Sequence, residues 1–250
     1  MSRISNDYEL KLIRESGKVS AYALKKAVEA IKNGATGLEV DKIVESEIYK
    51  QKGDLSYKTV PGYKWASCVT INEQVVHGIP TDRKFVDGDL VSVDLASVYK
   101  GWHTDTAWSV LVGKDPEKER FLRVGEEALW LGIKQAIDGN RVGDISEAIQ
   151  GKVEGAGYSV VRTLVGHGVG KRLHEDPEIP GFGKKGTGPV LKSGTSIAIE
   201  VIYIAGKPEV ILEQDGWTIS SEDGSWGGLF EMTVIVGKKG AEVLTDWRKV

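Results

Sequence analysis

Leu90-Val91-Ser92-Val93-Asp94-Leu95-Ala96, then Lys100-Gly101, then Thr104-Asp105-Thr106-Ala107-Trp108 and on to Val112: this stretch decides the fold. Both arms are rich in strand formers, and Lys100-Gly101 supplies turn chemistry between them, so the segment reads as an antiparallel hairpin. Asp94 and Asp105 lie eleven positions apart, one on each arm. A turn centred on Tyr99-Lys100 sets them face to face, and one centred on Lys100-Gly101 sets them one diagonal step apart. Either register puts both on the same sheet face, because side chains alternate with a period of two. Two solvated aspartates on an exposed face would be the plain alternative. The neighbours Val91, Val93, Leu95, Ala107, Trp108 and Val110 argue against it, since an ionised Asp is seldom buried without a partner. A bound dication would remove the repulsion between them.

Working outward, two more apolar strands carry a single carboxylate each. Glu200 interrupts Ile197 to Ile204, and Glu231 interrupts Leu229 to Val236. A glutamate in such a strand must be paired, protonated or metal-bound, and neither strand contains Lys or Arg. A salt bridge to a remote basic residue is the competing reading. Gly166-His167-Gly168-Val169-Gly170 places an imidazole among glycines, where backbone can approach a site closely. His174 follows, and His77 sits beside Gly78-Ile79-Pro80; the chain has only 4 histidines. Four carboxylates and three imidazoles make the oxygen-rich, partly imidazole ligation of a two-metal hydrolase.

The remainder organises around these strands. Leu10, Ile13, Gly17, Ala21, Leu24, Val28 and Ile31 recur at helical steps and predict a long amphipathic helix stopping at Asn33-Gly34. Thr36 and Glu39 have capping-box spacing and start a second helix reaching about Gly53. Asp115-Pro116 starts a third, stopping at Asp138-Gly139, and Asp144 to about Glu154 forms a fourth. Further strands are expected over Trp65 to Asn72, Thr163 to Gly166, Ser196 to Ala205, Trp217 to Ser220 and Phe230 to Val236. The Ile31-Lys32-Asn33-Gly34 region echoes Ile137-Asp138-Gly139, each linking a long helix to a shorter one, which suggests two similar halves. The expected organisation is a single α+β domain over 1–250, with halves of about 1–112 and 113–250.

Bulk properties narrow the function classes. The chain has 250 residues, 40% of them hydrophobic, and a formal net charge of −3, so nothing basic points to nucleic acid or an anionic membrane. Cys68 is the only cysteine, which fits a reduced, cytoplasmic setting. No apolar run is long enough to span a bilayer.

Taken together, Asn72 to Pro80, Val93-Asp94, Trp102 to Thr106, Gly166 to Gly170, His174-Glu175, Ile199-Glu200 and Asp215 to Thr218 resemble the motifs of methionine aminopeptidases in order and spacing. The resemblance implies the pita-bread fold: two pseudo-symmetric halves around a curved antiparallel sheet with helices on its outer face. It implies Asp94, Asp105, His167, Glu200 and Glu231 as ligands of two divalent ions, with Mn, Fe, Co and Zn all chemically suited. Asp105 and Glu231 would bridge the ions, Asp94 would serve one, and His167 and Glu200 the other. The implied reaction is attack of metal-activated water on the first peptide bond, releasing N-terminal methionine from peptides and nascent chains. Glu200 would take part in proton transfer, and His77 and His174 would hydrogen-bond the scissile amide and the oxyanion. Tyr63, Cys68, Leu173 and Trp217 resemble the methionine side-chain pocket, although plain core packing would also account for them. The family leads us to expect a monomer that works at or near the ribosome.

Thirty residues separate Glu200 from Glu231, which resembles type I members rather than type II, whose long insertion lies there; the N-terminal zinc-binding extension of some relatives is also not expected. Val201, Met232, Val76 and the stretch Val60 to Trp65 depart from the usual pattern without removing a ligand. Two other readings share the ligand set: an Xaa-Pro aminopeptidase or related pita-bread hydrolase, and a non-catalytic pita-bread binding protein. Finally, Met1-Ser2 presents a small second residue of the type such enzymes accept, so the protein is expected to process itself.

Overall fold

The computed structural model describes residues 3–250. Met1 and Ser2, on which the self-processing expectation rests, lie outside the described residues. Asn6 opens α1 (Asp7–Ala30) by accepting from the Glu9 N–H, and the Thr36–Glu39 capping box opens α2 (Gly37–Lys50). Both helices end about three residues before the expected stops. Ile31 is already extended, and Gly34, at φ +86°, belongs to the following loop. After β1 (Asp54–Leu55) and a 3-10 turn (Ser56–Thr59) come β2 (Ser67–Ile71), β3 (Gln74–Val76), β4 (Leu90–Tyr99) and β5 (Trp102–Leu111). Lys100 and Gly101 both have positive φ, the geometry of a two-residue hairpin turn. The turn therefore centres on Lys100-Gly101. Asp94 lies opposite Ala107 and Asp105 opposite Ala96, the diagonal arrangement of the two aspartates.

In the second part of the chain, Asp115 caps α3 (Pro116–Lys134), and α4 (Val142–Gly155) begins two residues before Asp144 because the Asp144 carboxylate accepts from the Arg141 N–H at 2.6 Å. The strands are β6 (Ser159–Val160), β7 (Gly166–Gly168), β8 (Glu175–Ile179), β9 (Ser196–Ile204), β10 (Val210–Leu212), β11 (Ile219–Ser221), β12 (Gly227–Ile235) and β13 (Glu242–Val243). The strand expected over Thr163 to Gly166 is not formed there. The ladder takes Ser159–Val160 and then Gly166–Gly168, while Thr163, Leu164 and Val165 leave it to line a cavity.

One antiparallel sheet dominates, in the order β1-β4-β5-β12-β9-β7-β8, with β2 on β4, β6 on β9 and β13 on β12. A small sheet β10-β11-β3 lies beside it. Helix α1 packs on β4 and β5 and against α2; α3 packs on β9 and β12 and against α4. Strand alternation separates two environments. Val91, Val93, Leu95, Trp108, Ile199, Val201, Tyr203, Phe230 and Met232 share a core with Leu24, Ile48, Phe121 and Ile149 of the helices. Asp94, Asp105, Glu200, Ile202 and Glu231, of opposite parity, face a cavity. Between β5 and β12 two hydroxyls bridge the strands: Thr233 Oγ1 donates to the Asp105 carbonyl at 2.8 Å and accepts from its N–H, and Ser109 does the same for Leu229.

The α3–sheet approach is close. A Cβ on Gly125 would lie 2.5 Å from the Tyr203 hydroxyl. Tyr203 cannot easily yield, since its hydroxyl donates to the Phe121 carbonyl and its ring stacks on Phe121 at 4.3 Å. Helix propensity alone would favour Gly125→Ala by about 1 kcal/mol. Overpacking should win, giving a net loss of about 1–3 kcal/mol in urea unfolding. An unchanged or raised urea midpoint would contradict the packing described.

Candidate metal centre and substrate cavity

Five neighbouring strands of the sheet each contribute one polar side chain to the lining of one cavity: Asp94 on β4, Asp105 on β5, Glu231 on β12, Glu200 on β9 and His167 on β7. The registers place them in two rows. Asp94, Ala107, Glu231 and Glu200 are successive partners across four strands. Asp105 lies opposite Ala96, and His167 opposite Ala198, each one pleat away from the first row. Ala96, Ala107 and Ala198 are fully buried, and their methyl groups leave the larger side chains room to converge. Donor atoms of Asp94, Asp105 and Glu231 lie within 4.8 Å of one another, as do those of Asp105, His167 and His174. The His167 Nε2 is 3.8 Å from Asp105 Oδ2 and 4.0 Å from Glu231 Oε1.

The electrostatics of this group are unusual. Among the described residues, no Lys or Arg lines the cavity. Burial, the largest influence, pushes Asp94 up to about 7 and Glu200 up to about 8; for Glu200 the Asp94 carboxylate adds to it. Asp105 and Glu231 are raised well above the carboxylate range by burial and then by neighbouring carboxylates. Burial also drives His167 down to about 4, and lowers His77 and His174. The imidazoles are thus neutral near pH 7 and cannot balance the acids. His167 Nδ1 lies 2.9 Å from the Gly168 carbonyl. A carbonyl only accepts, so Nδ1 carries the proton and Nε2 presents a lone pair to the carboxylates. Glu231 Oε1 is buried with no hydrogen-bond partner. An orphaned acid oxygen, the buried Asp94 and Asp105, the half-buried Glu200 and a neutral imidazole fit a site for divalent cations.

A cavity of about 330 Å³ opens onto this group. His77 and His174 line it, as do Tyr63, Cys68 and Trp217. Leu173 does not reach the wall; it packs behind, in the apolar cluster of Tyr57, Tyr63 and Cys68. His77 holds φ +57°, and Gly78 follows because a Cβ there would meet the Val69 carbonyl at 2.4 Å. Sequence reasoning missed Tyr57, Thr163 to Val165 and Ile202, all on the wall; Val60 and Val76, noted only as departures, also line it. Ile202 could have been found, since it lies two residues from Glu200 on the same strand. Tyr57 carried no local signal: it reaches the site from a turn.

The profile of metallopeptidase family M24 matches residues 11–238. Methionine aminopeptidase 1 of Bacillus subtilis is 41% identical over 95% of this chain and 96% of its own. The crystal structure of a methionine aminopeptidase from Thermotoga maritima superposes with a TM-score of 0.95 at 41% identity, over 98% of this chain and 99% of that one. A prolidase from Pyrococcus furiosus, at 24% identity, shares the fold with a TM-score of 0.76 over 97% of this chain and 65% of its own.

The raised carboxylates make stability depend on pH. A carboxylate that holds its proton more tightly when folded contributes stability that is present at low pH and lost as pH rises through the folded pKa. The depressed histidines act in the opposite sense, losing stability only as pH falls below their ordinary 6.5. From pH 6.5 to about 8 the carboxylates alone act, Glu200 titrating near 8. The thermal midpoint of the metal-free protein should therefore fall across that window, and excess Mn(II) should remove the fall. A metal-free midpoint that rises there would contradict this electrostatic description.

Proposed function

The chain belongs to metallopeptidase family M24, and from that premise we propose that it is a type I methionine aminopeptidase, removing the first residue from methionyl peptides and nascent chains. The observation that carries this reading is the convergence of one ligand-type side chain from each of five neighbouring strands of the sheet beside an apolar, aromatic cavity. Asp94, Asp105, His167, Glu200 and Glu231 would hold two divalent ions of Mn, Fe, Co or Zn. Bound there, such ions lower the pKa of water and polarise a carbonyl oxygen.

The remaining work falls to the chain's own groups. Tyr63, Cys68 and Trp217 form a cavity wall suited to a thioether, with Leu173 supporting it from behind. His77 and His174 face the cavity as neutral imidazoles. Each offers one N–H, His77 toward the scissile amide and His174 toward the oxygen on which charge develops. Beside bound cations Glu200 would be ionised, since a neighbouring dication favours the carboxylate. As the carboxylate it takes the proton of the attacking water as the C–O bond forms and returns it to the departing amine as the C–N bond breaks. The two halves of one domain, about 1–112 and 113–250, share the site, Asp94 and Asp105 coming from the first and His167, Glu200 and Glu231 from the second. The protein is read as a cytoplasmic monomer acting on chains at the ribosome, without direct nucleic-acid or membrane binding. No helix among the described residues is long and apolar enough to cross a membrane.

The test is methionine release from Met-Ala-Ser, with metal-free protein and after adding Mn(II) or Co(II). Metal-dependent release is expected, with kcat/KM reduced roughly 100-fold or more in Glu200→Ala and in His77→Ala while both variants stay folded. Faster cleavage of Xaa-Pro than of Met-Ala peptides would move the chain to the proline-specific branch. Ion binding without any hydrolysis would favour a non-catalytic binding protein.

A further inference from the structure

Tyr57 lines the cavity without a part in the catalysis above, and its surroundings are specific. Its hydroxyl lies 2.5 Å from Asp94 Oδ1 and 3.4 Å from Asp105 Oδ1. The phenol has one proton, so it donates to the nearer oxygen, that of Asp94. The backbone carrying it is tied down on both sides. Leu55 pairs with Ser97 of β4, the strand that carries Asp94. Ser56, fully buried, places its hydroxyl 2.7 Å from His103 Nδ1, and Thr59 donates back to the Ser56 carbonyl. The ring is buried too, meeting Tyr63 edge-on at 5.8 Å. The hydroxyl is thus delivered to Asp94 by a fixed frame rather than by a mobile side chain.

We propose that Tyr57 is a positioning residue for the ion served by Asp94, holding one carboxylate oxygen by a hydrogen bond so that the carboxylate meets the ion in a single orientation. This rests on the ligand assignment under the proposed function. A carboxylate free to rotate must lose that freedom when the ion binds; one already held by a donor does not, and outer partners of this kind typically contribute about 10–100-fold in metal affinity. The contrast lies within the same site. Glu231 Oε1 has no such partner, so an effect of Tyr57 should fall on one ion and not on both. Tyr63 supplies the control, because its hydroxyl is a near neighbour but bonds the Ser67 carbonyl and the Cys68 sulfur, not a carboxylate.

The experiment is calorimetric titration of Mn(II) into metal-free wild type, Tyr57→Phe and Tyr63→Phe, with circular dichroism confirming that each is folded. Two binding steps are expected in the wild type. Tyr57→Phe should weaken one of them about tenfold or more and leave the other nearly unchanged, while Tyr63→Phe should leave both unchanged. Equal or tighter binding in Tyr57→Phe, equal weakening of both steps, or the same loss in Tyr63→Phe would each overturn the proposal. Absence of ion binding by the wild type would instead overturn the ligand assignment beneath it, and the proposal with it.

Discussion

Four carboxylates, three of them buried, share one sheet face with no Lys or Arg among the described residues on the cavity wall, and the rest of the structure is arranged around that conflict. Removing an ionised group from water costs several kcal/mol even after relaxation, and like charges side by side add to it. The protein does not resolve the conflict internally. Its three nearby imidazoles are driven neutral by the same burial, and Glu231 keeps an unpartnered oxygen. The acids are thus either protonated or matched by cations from outside. This is the electrostatic form of an active site: polar groups held against their own preference by a scaffold that is stable enough to hold them.

That scaffold is a sheet whose two faces do different jobs. Odd and even positions of β4, β5, β9 and β12 divide between a core shared with four helices and a cavity wall. The division also explains which sequence departures bear on the site. Val201 and Met232 are fully buried on the helix side, so their identities concern packing. Val76 and Val60 lie on the cavity wall, so theirs concern what the cavity accepts. The acids stand on rigid strands, whereas His77 and His174, the groups assigned to substrate, stand on turns. Strands fix what must meet an ion within a fraction of an ångström, and turns carry what must reach a reacting peptide.

The seam between β5 and β12 shows how the two parts of the chain are joined at the site itself. Ladder pairing there is limited to two residue pairs. Thr233 and Ser109 continue it on either side with hydroxyls that serve both the N–H and the carbonyl of the facing strand. Asp105 and Glu231 stand on this seam, so residues more than a hundred positions apart are set in register by two hydroxyl groups.

The sequence alone determined the chemical class of the site and most of its elements. An acid inside an apolar strand has few physical explanations, and Asp94, Asp105, Glu200 and Glu231 each announce themselves by that rule. The capping patterns at Thr36 and Asp115 and the hairpin at Lys100-Gly101 are likewise local, written within a few residues. Helix ends were placed late because a glycine marks the loop as readily as the last turn. The strand expected at Thr163 was misplaced because aliphatic residues lining a cavity have the composition of a buried strand. Only the tertiary structure chose the diagonal register of the two aspartates, aligned five strands so that their polar side chains converge, set Leu173 behind the wall, and brought Tyr57 to Asp94. Those outcomes depend on pairings between residues distant in sequence. Such pairings are selected by the packing of the whole chain, and no short window of residues contains them.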